Sequence, residues 1–178
     1  MGLSRESEGF GMTNSAPAIW DFVLGYYKQQ GVSENAIVLQ DSAGIDVNMI
    51  LFLMWLSAQK KTLAAADVKA VGEKSIGWQH SVVVPIRAIR RLLKENAPLV
   101  EQEAALAYRK KIQALEIEGE QLQLQSMGAM VLKTSDAASP EAAAQANLAA
   151  FQSAVGKTFP PAAVDGFVKA LKAMTDGK

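Results

Sequence analysis

The chain has 178 residues, 49% hydrophobic and 20% charged, the balance of one globular domain with or without an appendage. Eighteen Lys and Arg are matched by eighteen Asp and Glu, which argues against a general nucleic-acid binder, whose affinity rests on neutralising phosphates. The lack of cysteine excludes disulfides, thiol catalysis and zinc–thiolate sites.

Residues 1–15 read as a flexible tail punctuated by Gly2, Gly9 and Gly11. The tail has no apolar segment and so does not read as a secretory signal. Ser15 and Pro17 suit the start of a first helix, in which Ile19, Phe22, Val23 and Tyr26 share a face and which Gly31 stops. A short second helix begins near Ser33 and ends at Gly44. Asp46 is then the natural N-cap of a third, Val47 to about Gln59, which is apolar nearly all round. A helix greasy on every face must be surrounded by protein, so residues 46–59 are expected to form the buried hub. Its apolar run Met49–Leu56 is eight residues, where a membrane span needs about 20. A soluble, cytoplasmic protein without a membrane partner is expected.

Thr62 suits the cap of a fourth helix, Leu63 to Val71. A fifth is expected from about Ser75 to Glu95, with Trp78, Val82, Ile86, Ile89 and Leu93 on one face. Pro85 lies inside it, lacks an N–H and clashes with the carbonyl four residues back, so a kink is expected there. Asn96-Ala97-Pro98 breaks the chain before a long sixth helix, Pro98 to about Gln125, whose seam reads Tyr108, Ile112, Leu115, Gly119, Leu122. Its heptad-like spacing fits self-association. A small-residue linker, 131–139, leads to an alanine-rich helical hairpin extension, 140–178, with Gly156 between its two helices. The helical domain proper spans 16–130. No segment shows the two-residue alternation of a strand, and the fold class expected is all-α: a compact bundle around a buried central helix.

The set Trp20-Asp21-Phe22, Tyr26-Tyr27, Leu39-Gln40-Asp41, Gly44-Ile45-Asp46-Val47-Asn48, Leu51-Phe52 and Trp55-Leu56, followed by Trp78, Pro85-Ile86-Arg87, Arg90-Arg91 and Leu93-Lys94, resembles a family of uncharacterised, mostly proteobacterial proteins, a domain of unknown function. The resemblance covers roughly residues 18–125. It implies a bacterial, cytoplasmic, helical protein and supplies no activity or ligand.

Three clusters could carry chemistry. Gln40, Asp41, Asp46 and Asn48 surround one tight turn at the mouth of the third helix. Oxygen donors of this kind suit a hard cation, although their spacing matches no calcium loop, and the plainer reading is a cap with solvated neighbours. Arg87, Arg90, Arg91 and Lys94 line the fifth helix as an anion site or a docking surface for an acidic partner. His80, the single histidine, lies one turn before Pro85 beside Trp78 and cannot build a zinc site alone. Gly156-Lys157-Thr158 lacks the upstream glycine of a phosphate loop, since Phe151 stands there. No catalytic signature and no cofactor or metal motif emerges.

Two functions are therefore weighed. One is a non-catalytic protein-interaction or regulatory module, its partner another protein or a second copy docked along residues 98–125. The other is a small ligand binder or enzyme acting on a phosphate-bearing apolar substrate with a divalent cation, its site drawn from Asp41, Asp46, Asn48, Trp78, His80, Arg87 and Arg91. Convergence of Asp46, Asn48, His80 and Arg87 on a cavity would favour the second.

Overall fold

The apolar sequence of the third helix finds its expected place. In a computed structural model that describes residues 15–95 and 100–177, α3 (Val47–Ala58) buries Met49, Ile50, Leu51, Phe52, Leu53, Met54 and Leu56. Helices lie around it: α1 (Ser15–Tyr27), α2 (Val32–Ala43), α6 (Gln102–Gly128), α7 (Pro140–Val155) and α8 (Pro161–Asp176) all pack on it. The fold is all-α, as its periodicities predict. Most of the expected tail and the Asn96-Ala97-Pro98 break fall outside the described residues.

Local signals explain most boundaries. Gly44 ends α2 in the left-handed region at φ 60°, where a side chain would be strained. Asp46 then caps α3, its carboxylate accepting the backbone N–H of Asn48 at 2.9 Å. Ser139 caps α7 through the N–H of Ala142, with Pro140 in the first turn.

Residues 140–177 share the main core. Leu148, Phe151, Phe159, Phe167 and Leu171 belong to the same apolar cluster as α1 and α3, and the buried Tyr26 hydroxyl donates to the Phe167 carbonyl at 2.7 Å. A neutral polar knot ties α7 to α3. The fully buried Asn147 accepts the Leu63 N–H at 2.9 Å. Its amide donates to Ser57 Oγ and to the Lys61 carbonyl, each at 2.9 Å.

Three expectations are corrected. Thr62 does not cap a helix: Lys61–Thr62 (β1) pairs antiparallel with Ser135–Asp136 (β2), and the next helix, α4 (Ala65–Trp78), starts at Ala64 with no side-chain cap. No break separates the fourth helix from the fifth, because α4 runs through a π-helical turn, Gln79–Val83, into α5 (Val84–Glu95). The wider turn lets the Val84 N–H reach the Gln79 carbonyl just before Pro85, which has no N–H to offer. The extra residue rotates everything beyond it, so the Trp78–Val82–Ile86–Ile89 line is not the buried one. Trp78 is 39% and Ile89 46% exposed, while Val83 is fully buried.

The sixth-helix seam is likewise only half right. Ile112 and Gly119 face inward, with Val82 and Val83 opposite the glycine, but Tyr108, Leu115 and Leu122 are half exposed. The buried line instead runs through Ile112, Glu116, Gly119, Gln123 and Met127, two of them polar.

Candidate functional site

The start of α3 and the π-helical turn border one cleft. The left-handed turn at Gly44 brings α2 to a stop, so Ile45 and Asp46 stand at its edge. The π turn, wider than α-helix, carries Gln79 and His80 to the same space, and Arg87 follows two turns later on α5. The cleft holds about 560 Å³, within the range of small-molecule sites. Met49, Val68, Ile76, Val84, Phe151 and Val155 form its apolar walls, and Lys69, Glu73 and Lys157 stand among its lining residues.

Asp46 has two roles here. One carboxylate oxygen caps α3; the other accepts Gln123 Nε2 at 2.7 Å. Gln123 in turn accepts the buried Asn48 amide at 2.7 Å. Burial raises the Asp46 carboxyl above its ordinary range. The hydrogen bonds from Asn48 and Gln123, and the nearby charges of Arg87 and His80, offset only part of that.

Arg87 is held between the cleft and α6. It donates from Nε to Glu116 Oε1 at 2.8 Å and from Nη2 to Glu120 Oε1 at 2.5 Å. Arg90 pairs with the same Glu116. Burial pushes the Glu116 carboxyl up, but the hydrogen bonds from Arg90 and Arg87 outweigh it and the group lies below the usual carboxylate range. Glu120 lies above that range, chiefly through burial, with the Glu116 and Asp46 charges adding to it. Glu116 and Glu120 therefore offset much of the positive charge that Arg87 brings to the cleft.

One group of the cleft is unsatisfied. Gln79 is 8% exposed, and its Oε1 has no hydrogen-bond partner. A buried acceptor without a donor costs about 1–3 kcal/mol. Among the described residues the Arg109 Nε shares that condition, but only Gln79 lines the cleft.

The sequence candidates thus divide. Asp46, His80 and Arg87 meet at the cleft. Asn48 turns away to Gln123 on α6. Asp41 is exposed on α2, so the two aspartates do not form one donor set. Among the described residues no group of three or more His, Asp or Glu could hold a metal ion. Trp78 donates its indole N–H to the Gly119 carbonyl at 2.9 Å and lines a separate hollow. Arg91 and Lys94 are exposed and form no ion pair among the described residues.

Sequence reasoning misses Gln79, Glu116, Glu120, Gln123 and Lys157. Lys157 follows the left-handed Gly156 and donates to the Ala43 carbonyl at the end of α2. The legible signal for Glu116 and Gln123 is their place in the three-and-four spacing between Ile112, Gly119 and Met127, a pattern that apolar periodicity alone overlooks.

Among the described residues no helix is long and apolar enough to cross a membrane. No curated protein and no solved structure matches the chain. A family model described as protein of unknown function (DUF2390) matches residues 18–127, the segment that carries Asp46, Gln79, His80 and Arg87 but not the α7 wall of the cleft. The match spans more than half of the sequence, and the chain belongs to this family.

Proposed function

We propose that this protein is a non-catalytic helical module that binds a small amphiphilic molecule in the cleft between α3, α4 and α7. The ligand's apolar body lies against Met49, Val68 and Phe151, and its polar end donates a hydrogen bond to Gln79. The observation that carries this reading is that Gln79, whose Oε1 is buried and without a partner, lines a cleft of about 560 Å³. Native interiors pair nearly all buried polar groups, so an unpaired one at a cavity suits an incoming donor. The π-helical turn that presents it supports the reading, since such turns recur at functional sites. A divalent cation and a phosphate find less support: the carboxylates are dispersed, and Arg87 is already paired with two glutamates.

Gly72 supplies the test. It lines the cleft, and a Cβ added there meets nothing within 4 Å. Gly72→Phe fills the space and replaces a helical glycine, which favours the helix by about 0.5 kcal/mol. Titrated with 8-anilinonaphthalene-1-sulfonate, the wild type should saturate at one dye per chain. Gly72→Phe should melt at or above the wild-type temperature and lose about tenfold or more in affinity. Equal dye binding by a well-folded Gly72→Phe would remove the cleft from consideration.

A further inference from the structure

On α6, Tyr108, Leu115 and Leu122 are 55%, 50% and 46% exposed. They recur every seven residues, and seven residues return an α-helix to within about 20° of the same line. The result is an apolar stripe along a helix whose buried face lies elsewhere. Beside it run Lys111 and Glu118, also seven apart, exposed, opposite in sign, and without an ion pair among the described residues. At one end of the stripe, Leu122 borders a hollow of about 370 Å³ lined also by Trp78, Met127 and Met130. The stripe sits on the α5–α6 hairpin, where α5 packs chiefly against α6 and the π-helical turn.

We infer that this stripe is a homodimer interface in which α6 pairs antiparallel with α6 of a second copy about a two-fold axis near Leu115. The charges choose both the occupant and the direction. Lys111 lies four residues before the axis and Glu118 three after it. An antiparallel pair therefore brings Lys111 of each copy to Glu118 of the other. A parallel pair would carry the two Lys111 to opposite sides of the interface, and the two Glu118 likewise, so neither charge would meet its complement. The same two-fold places Tyr108 of one copy opposite Leu122 of the other, beside the hollow, and a flat aromatic ring suits such a space. A patch that is its own complement is what a two-fold interface requires.

Sedimentation equilibrium of the full chain tests this. The wild type should be a dimer at micromolar concentration. Leu115→Glu should be monomeric, with unchanged helical circular dichroism because the site is half exposed. Lys111→Glu and Glu118→Lys should each weaken dimerisation by about tenfold or more. The double variant Lys111→Glu, Glu118→Lys should recover it, since the pair is only reversed. This charge series stays decisive even if Leu115→Glu disturbs folding. A wild type that remains monomeric to about 100 µM, a dimer that survives Leu115→Glu, or a double variant as weak as the single ones would each overturn the proposal.

Discussion

Two polar clusters flank the buried α3, and they differ in how fully they are satisfied. At the C-terminal end, Asn147 is fully buried, uncharged, and bonded on both its oxygen and its nitrogen. At the N-terminal end, Asp46, Gln79, His80 and Arg87 border a cleft, include ionisable side chains, and leave the Gln79 oxygen unpaired. A buried polar group with all its partners holds helices in register, whereas one lacking a partner beside a cleft costs stability that an incoming donor can return. The first cluster is structural by this criterion, and the second is suited to binding.

Substitutions can break that contrast. Asn147→Ala should have the largest effect. It strands the Leu63 N–H, and the loss should be about 3 kcal/mol, or roughly 10 °C in Tm, by thermal denaturation. Since Asn147 does not line the cleft, dye affinity at a temperature where the variant is folded should be unchanged. Glu116→Ala comes next. It leaves Arg87 and Arg90 without their shared carboxylate, and because both arginines are partly exposed the cost should be nearer about 2 kcal/mol by urea denaturation.

Asp46→Asn should have a smaller, pH-dependent effect. Asn can still cap α3. The Asp46 carboxyl lies above its ordinary value in the folded chain, so the folded state binds this proton more readily than the unfolded one. The stabilisation that this supplies is complete below the unfolded value of about 3.8 and is lost as pH rises through the folded one. Relative to Asp46→Asn, the wild type should therefore lose stability as pH rises above about 3.8. A Tm difference that moves in favour of the variant as pH rises is the expected result. A difference independent of pH would mean that Asp46 is not held at a raised value.

The helical class, the buried hub and the meeting of the α3 start with the middle of the α4–α5 rod are all legible in the sequence. They rest on strong local signals: the continuous apolar run of α3, Asp46 before it, and Gly44 before that. What escapes has a common cause. Periodicity at 3.6 residues assumes unbroken α-helix, and the π-helical turn at Gln79–Val83 rotates α5 away from that phase. Sorting apolar inward and polar outward also misassigns Glu116, Gln123 and Asn147, which are buried because partners from distant helices satisfy them. The clearest casualty is Gln79, which looks like any solvated glutamine beside His80 and is instead the acceptor on which the proposed site depends.

That acceptor can be tested with two ligands that differ by one hydrogen-bond donor. Isothermal titration calorimetry should be run on the wild type and Gln79→Leu with 2-naphthol, which carries an O–H, and 2-methoxynaphthalene, which does not. The wild type should bind 2-naphthol about tenfold more tightly. Gln79→Leu should lose that preference while melting no lower than the wild type, because no unpaired acceptor remains. A wild type without the preference, or a Gln79→Leu variant that keeps it, would contradict the assignment of the cleft as a site that recognises a donor through Gln79.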